Sequence, residues 1–157
     1  MYKIIQDTRE KRPLDFSFYG AEITIAKLDA GDYTAEGLED KLFIERKANS
    51  GELCNNFGSK RKAFFNELDR TKDMLYKYII CEFSYGDILD FPKNSGIPPR
   101  SLPYVRMNSG FMRRTIEAIQ IEYGVIFFFC GTRERATNKI IEIINDCQEK
   151  EQQKIRR

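Results

Sequence analysis

The first 47 residues alternate between apolar and polar positions with the period of two that is typical of β-strands. The clearest case is Glu22-Ile23-Thr24-Ile25, which alternates strictly. Gly31 marks a turn between two such segments. The pattern predicts four strands, at residues 2–6, 21–28, 31–34 and 41–47.

From residue 59 onward the apolar positions follow the helical period, and short apolar runs separate the helical segments. Phe64 and Leu68, for example, lie one helical turn apart, and Thr132 is a credible N-cap for the last helix. The pattern predicts helices at 59–74, at 111–123 and from 132 through 147, buried strands at 78–81 and 125–130, and a long loop at the Pro- and Gly-rich residues 91–110.

The order of these elements, several strands followed by helix, strand, helix, strand and helix, predicts the fold class. It is typical of a three-layer α/β domain with a central mixed β-sheet flanked by helices. The 157 residues are enough for one domain with its own core. We expect a single domain at residues 1–150 and a polar, frayed tail at 151–157.

Composition narrows the possible chemistry. The chain has 26 Lys and Arg against 24 Asp and Glu, so any affinity for nucleic acid must come from a local patch. It contains no histidine, which excludes histidine zinc sites and Ser-His-Asp catalysis and leaves Asp, Glu, Lys and Tyr for acid–base work. No apolar run reaches membrane-spanning length and the N-terminus does not resemble a signal peptide, so we expect an intracellular protein with no membrane partner.

Three carboxylates fall at or near predicted strand ends, namely Asp7, Asp32 and Glu45. Side chains two residues apart on a strand share a face, so Lys47 should lie beside Glu45 and Arg46 should point the other way. Carboxylates that converge repel one another unless a cation holds them, and oxygen ligands favour Mg²⁺ or Mn²⁺. The pattern therefore predicts a metal site with a lysine beside it.

Alternative interpretations stay open at this point. An Asp followed by Glu-x-Lys is a weak pattern, and most such matches are solvated strand charges. Asp32 is also a common type of turn residue, and Arg9 with Glu10 is consistent with a surface ion pair of little energetic value. The cations at 60–62 are equally consistent with a solvated helix face.

Three motifs together are more specific than any one of them: Asp7-x-Arg9-Glu10, Leu28-x-x-Gly31-Asp32-Tyr33 and Ile44-Glu45-Arg46-Lys47. This string resembles the nuclease domain of the XPF-type structure-selective endonucleases, the ERCC4 domain, within the restriction-endonuclease-like superfamily. The resemblance extends over nearly the whole chain. The trailing Asp of the family pattern falls on Gly51 here, and we expect Glu52 to take its place. The helix-hairpin-helix module of the family has no counterpart in these residues.

The resemblance implies a role for each matching residue. It makes Asp32 and Glu45 the main ligands of Mg²⁺ or Mn²⁺, with Asp7 as a further ligand and Glu10 completing the acidic cluster. Arg46 and Lys47 would act on the phosphate and the attacking water. The implied contacts to the DNA backbone are Arg9, Lys60 and Arg61.

The resemblance also implies an activity, which is metal-dependent hydrolysis of phosphodiester bonds in branched or flapped DNA during repair, recombination or replication. The location would be the cytoplasm or nucleoid, or the host cytoplasm if a phage encodes the chain. A homodimer through the C-terminal helix is expected from the family, with Ile140, Ile143 and Ile144 serving core and interface together. The alternative is a non-catalytic DNA- or partner-binding module that keeps the fold.

Overall fold

The structure is a computed structural model that describes residues 2–157. The strands are β1 (Lys3–Asp7), β2 (Glu22–Ala26), β3 (Tyr33–Ala35), β4 (Leu42–Lys47), β5 (Tyr76–Cys81) and β6 (Ile126–Phe129). The helices are α1 (Ser50–Phe57), α2 (Arg61–Arg70), α3 (Tyr85–Leu89), α4 (Ser109–Tyr123) and α5 (Arg133–Arg156), with short 3₁₀ helices at Ser17–Tyr19 and Leu102–Tyr104.

The six strands form one mixed sheet in the order β2-β1-β3-β4-β5-β6. Strand β3 runs antiparallel to both of its neighbours, and every other pairing is parallel. Helices cover the two faces of this sheet. The predicted three-layer α/β architecture is therefore confirmed.

Strand β4 shows how the sequence divides the core into two halves. Leu42 and Ile44 pack on the face that α5 covers, together with Ile140 and Ile144 of that helix. Phe43, between them in sequence, packs on the opposite face against residues of α1, α2 and α4. This alternation continues into Glu45, Arg46 and Lys47, so it sets which face each charged side chain occupies.

Several elements differ from those that the sequence pattern predicts. Helices α1 and α3 were not predicted, and the loop predicted at 91–110 contains a 3₁₀ helix and the start of α4. Helix α1 has a low intrinsic helix propensity because Gly and Asn occupy much of it. Its start is fixed instead by the Asn49 side chain, which accepts a hydrogen bond from the Glu52 N–H (3.0 Å).

The last strand and the last helix also differ from prediction. Strand β6 is an edge strand, so Ile126 is exposed rather than buried. Helix α5 continues to Arg156 through residues for which a frayed tail is predicted. Glu151 ties this end of the helix to the sheet, because its carboxylate accepts hydrogen bonds from Lys41 Nζ (2.7 Å) and from the Tyr76 hydroxyl (2.8 Å).

The N-terminal part of α5 agrees with prediction. Thr132 caps the helix by accepting a hydrogen bond from the Arg135 N–H (3.1 Å). The apolar stripe of Ile140, Ile143 and Ile144 is buried against the sheet of the same chain. Among the helices described here, none is both long and apolar enough to cross a membrane.

Candidate active site

A cavity of about 530 Å³ lies where β4 ends and α1 begins. Strand β4, the turn before β3, the segment after β1 and helix α1 all contribute to its wall. Almost all of the residues that line it are charged or amide-bearing: Arg9, Glu10, Lys11, Arg12, Asp32, Glu45, Arg46, Lys47, Asn49, Glu52, Asn55, Asn56 and Lys60. The sequence-predicted site residues are therefore largely brought together.

Asp32 is held in the cavity by its backbone and by the glycine before it. Gly31 has a φ of +83°, and a Cβ there would come within 2.8 Å of the Ile44 carbonyl oxygen, so only glycine fits. The Asp32 N–H donates to that carbonyl (2.8 Å), and the Asp32 carbonyl accepts from the Asp7 N–H (2.8 Å). Its carboxylate accepts a hydrogen bond from the Arg46 N–H (2.8 Å).

Glu45 and Lys47 lie on the same face of β4, as predicted, with Lys47 Nζ 3.9 Å from Glu45 Oε2. Both side chains are buried. Burial raises the pKa of Glu45 well above its usual range; Lys47 opposes this change, while the adjacent Asp32 and Glu67 carboxylates add to it. The protonated form of Glu45 is therefore more favoured than that of an exposed glutamate.

Lys47 stays charged despite its burial. Desolvation disfavours the ammonium form, but the carboxylates of Glu45, Asp32 and Glu67 outweigh that effect and raise the pKa of Lys47. The result is a buried cation next to several closely spaced carboxylates.

Glu67, on α2, is a site residue that sequence reasoning missed. Its Oε2 accepts a hydrogen bond from the Gly31 N–H (3.3 Å), which places it beside Asp32. The available signal was weak, since Glu67 lies among other polar residues on a helix with no motif around it. Its proximity to the site arises only when α2 packs on the sheet.

Arg46 points to the opposite face of β4, where it forms an ion-pair network. Its guanidinium binds Glu10 with two hydrogen bonds (2.7 and 3.1 Å) and also binds Glu82. Arg133 completes the network through Glu82 (3.4 Å) and the Pro13 carbonyl (2.6 Å). Glu10 is thus paired with Arg46 rather than grouped with Asp32 and Glu45. Sequence reasoning missed Glu82 and Arg133, although Glu82 directly follows β5.

Asp7 is buried, and it is not among the residues that line the cavity. Its carboxylate accepts hydrogen bonds from the Arg9 side chain (2.8 and 3.2 Å), from the Arg9 N–H (3.1 Å) and from the Leu28 N–H (2.8 Å). Burial opposes ionisation, but these hydrogen bonds lower the pKa of Asp7 below its ordinary value. Its oxygens are therefore already occupied by protein donors.

The position of the family's trailing acid has a structural explanation. A Cβ at Gly51 would lie 2.6 Å from the Ser95 carbonyl oxygen, so an Asp does not fit there without a backbone shift. The next residue, Glu52, does line the cavity. Its carboxylate accepts a hydrogen bond from the Ala48 N–H (2.9 Å) at the start of α1.

The three predicted DNA contacts have different surroundings. Arg9 and Lys60 line the cavity and are solvent-accessible. Arg61 lies outside the cavity lining, where it donates to the Phe57 carbonyl (3.1 Å) and stacks on the Phe65 ring at 4.7 Å.

The donor set suits a hard divalent cation. Asp32 and Glu45 supply carboxylate oxygens, and Asn56 Oδ1, in the cavity wall, is buried with no hydrogen-bond partner within residues 2–157. No three His, Cys, Asp or Glu side chains in that same range are placed so as to hold a metal ion. The raised pKa of Glu45 is the change that a nearby cation would reverse.

Comparison with known proteins identifies the family of the chain and solved structures with a similar fold. The ERCC4 domain family model matches residues 6–143. The structure is similar to that of XPF from Aeropyrum pernix (TM-score 0.66, 20% identity, 91% of this chain) and to that of XPF from Aeropyrum pernix in complex with DNA (TM-score 0.68, 19% identity, 95% of this chain). This chain spans 60% and 66% of those two chains. No curated protein matches it. The chain belongs to the ERCC4 domain family, the family of XPF-type nucleases.

Proposed function

We propose that this protein is a Mg²⁺- or Mn²⁺-dependent endonuclease that hydrolyses phosphodiester bonds in DNA. The observation that supports it best is the grouping of half-buried Asp32 with buried Glu45 and Lys47 in one open cavity. Taking these charged groups out of water is unfavourable unless a ligand compensates them. A cation together with a phosphate is such a ligand.

Asp32 and Glu45 are the residues that would hold the metal, with Glu67 close enough to contribute directly or through a water. When bound, the metal would activate a water and neutralise charge on the phosphate. Glu45 must then lose the proton that its environment favours, so metal binding releases a proton. For Asp7 we propose an indirect role, which is to fix Arg9 and the Leu28 backbone beside the site.

Lys47 is placed to hold the attacking water or to stabilise negative charge as it develops on the phosphate. Its position is fixed because it is buried and lies 3.9 Å from Glu45. The Arg46 N–H orients the Asp32 carboxylate, while the Arg46 guanidinium is paired with Glu10 and Glu82. Arg9 and Lys60 are placed to contact the DNA backbone, which positions the substrate without reading its sequence.

The substrate class that we propose is branched or flapped DNA. The protein would cut it during repair, recombination or replication inside the cell. Membership of the family of XPF-type nucleases supports it. A similar structure was also solved as an XPF complex with DNA. The cavity is lined by charged and amide-bearing residues, which suit contacts to the DNA backbone. This is consistent with recognition of DNA shape rather than base sequence.

The test is cleavage of labelled linear duplex, flap, fork and four-way junction DNA in Mg²⁺, Mn²⁺ or EDTA, beside Asp32→Asn. We expect metal-dependent cutting that falls by at least about 100-fold in Asp32→Asn, while DNA binding persists. Cutting by Asp32→Asn at the wild-type rate would contradict the assignment of the active site. The DNA that is cut fastest would show which branched structure the protein prefers.

A non-catalytic DNA- or partner-binding module is the second candidate, and one observation favours it. The family's trailing acid is absent at Gly51, and Glu52 is engaged with the Ala48 N–H. Binding of these DNAs with no cutting in any metal would support this candidate, with Glu52 the first residue to examine.

A homodimer through the C-terminal helix stays a prediction. Ile140, Ile143 and Ile144 are covered by the chain's own sheet, so a dimer would need the outward side of α5. Sedimentation velocity over a range of protein concentrations tests it, and a constant monomer mass would contradict it.

A further inference from the structure

The segment from Phe91 to Arg114, here called the basic segment, has a charge unlike that of the rest of the chain. It contains five cations and no acid: Lys93, Arg100, Arg106, Arg113 and Arg114. Subtracting these five from the 26 cations of the chain leaves 21 against 24 acids. The rest of the chain therefore has a net charge of −3, and the net positive charge of the protein arises from this segment.

These five cations are also unpaired. All are exposed, and none forms an ion pair with any other part of residues 2–157. Elsewhere on the surface many cations have acidic partners, as Lys139 does with Glu142 (2.8 Å) and Lys150 with Asp146 (2.9 Å). Exposed cations in one segment, without acidic partners, attract a polyanion.

The basic segment packs tightly on α1. The Ser95 carbonyl accepts a hydrogen bond from the Gly51 N–H (2.9 Å), and Met107 Sδ lies 3.6 Å from Cys54 Sγ. Gly58, which directly follows α1, would clash with the Met107 side chain if it carried a Cβ. This contact holds the segment at a fixed position relative to α1.

A groove connects this surface to the candidate active site. It has a volume of about 350 Å³ and is lined by Asn49, Gly51, Glu52, Asn55, Gly96, Ile97, Pro98 and Ser101. Asn49, Glu52 and Asn55 line the active-site cavity as well. The groove therefore leads from the cavity to Ser101, which follows Arg100 in sequence.

An exposed aromatic residue lies between two of the cations in sequence. Tyr104 is 82% exposed, with Arg100 and Arg106 on either side in sequence. Aromatic rings with adjacent cations are the combination on which unpaired bases stack while their phosphates are neutralised. Duplex DNA keeps its bases stacked internally and does not need such a ring.

We propose that the basic segment binds the unpaired strand of a branched DNA as that strand leaves the active-site cavity. Arg100 and Arg106 contact its phosphates, and Tyr104 stacks on one of its bases. This inference rests on the proposed function in that DNA is the ligand, and it adds a binding surface that the metal-site residues do not provide.

The test is fluorescence anisotropy of a labelled oligo-dT and of a labelled hairpin duplex, in EDTA and at several salt concentrations. The variants are Arg100→Gln/Arg106→Gln and Tyr104→Ala. The matched control is Arg156→Gln/Arg157→Gln, which removes the same charge from the end of α5. That end of α5 lies near the start of β5. The cavity lies at the other end of the strands, where β4 ends.

We expect the arginine variant to bind oligo-dT on the order of tenfold more weakly than the control. The slope of log affinity against log salt concentration should be less steep by about 1.4. Tyr104→Ala should weaken oligo-dT binding by roughly fivefold or more and hairpin binding by less. Equal affinities of the arginine variant and the control would overturn the proposal. Equal losses on oligo-dT and hairpin in Tyr104→Ala would overturn the assignment to an unpaired strand.

Two further outcomes separate this inference from others. If the arginine variant binds oligo-dT like the control but loses binding to polyglutamate, the surface serves an acidic protein and the proposal fails. The assay needs no metal or cleavage, so it is independent of the nuclease proposal. A binding difference without any cutting would overturn catalysis alone, and cutting without a binding difference would overturn this surface alone.

Discussion

Buried acidic and basic side chains lie on both faces of the C-terminal end of β4, but they are fully paired on only one of them. On one face, Arg46 is saturated by Glu10 and Glu82, and all three side chains are at least nine-tenths buried. On the other face, Glu45 and Lys47 are equally buried but lie 3.9 Å apart in an open cavity that also holds Asp32. Adjacent residues of one strand thus differ: the charge of Arg46 is fully paired, whereas the charges of Glu45 and Lys47 are not.

This difference teaches that buried charge alone does not mark a site. The Arg46 face needs nothing further, because each of its carboxylates has a guanidinium partner. On the Glu45 face, burial and neighbouring carboxylates raise the pKa of Glu45, so that group still lacks adequate compensation. An uncompensated group in a cavity is the better indicator of chemistry.

The largest expected effect is on the saturated face. Arg46→Gln leaves Glu10 and Glu82 buried without their main partner, and we expect it to lower the free energy of unfolding by about 3–5 kcal/mol. Urea unfolding measures this loss. Arg133→Gln is the matched control, because Arg133 is 45% exposed and should matter less. A loss below about 1 kcal/mol for Arg46→Gln would break the comparison.

The next effect is on the open face. Lys47→Met keeps most of the side-chain volume but removes the charge beside Glu45, and we expect cleavage to fall by about 10²–10³-fold. Single-turnover cleavage of the preferred DNA measures it, with Lys62→Met, exposed on α2, as control. If Lys47→Met and Lys62→Met cut equally fast, Lys47 has no part in the reaction.

A pH-dependent effect sharpens the contrast further. The pKa of folded Glu45 is raised by burial, so its ionisation destabilises the metal-free protein as pH rises through that pKa. Glu45→Gln should therefore be more stable than wild type at pH 8, and the difference should shrink as pH falls. Urea unfolding in EDTA at several pH values tests this. A gain that grows toward acid pH would have the wrong sign.

The smallest expected effect is at a separate ion cluster on the C-terminal part of α5. Its effect on stability can be compared with the effects at the two faces of β4. Hydrogen bonds from Lys41, Lys154 and Tyr76 lower the pKa of Glu151 to about 2. The stabilisation is present above the ordinary pKa of a glutamate and is lost as pH falls toward 2. Glu151→Gln should thus be slightly less stable than wild type at pH 7, and the difference should become much smaller as pH falls toward 2. A thermal unfolding series measures the convergence, and a difference that does not shrink between pH 7 and pH 2 would contradict it.

The motifs that the sequence placed well are those defined by local geometry. Gly31 is required by a positive φ and a close backbone contact, so Asp32 follows at a fixed place. Alternation along β4 put Glu45 with Lys47 and turned Arg46 away. Both rules act over a few residues, which is why one sequence sufficed to predict them.

The parts that sequence reasoning missed depend on packing between distant segments. Glu67 and Glu82 reach the site only because α2 and β5 pack beside β4. Helix α1 has poor helix-forming residues and is stabilised by the Asn49 cap and by the Ser95 contact. No periodicity in the sequence encodes such long-range contacts.

The most direct test of the central claim is calorimetric titration of Mn²⁺ into the wild type and into Glu45→Gln, in two buffers of different ionisation enthalpy. The account predicts that wild type binds Mn²⁺ and releases a proton, because Glu45 must ionise to bind the metal. Glu45→Gln should bind much more weakly and release none. Equal Mn²⁺ affinity in the two proteins, with the same proton release, would contradict the assignment of this face of β4 as a metal site.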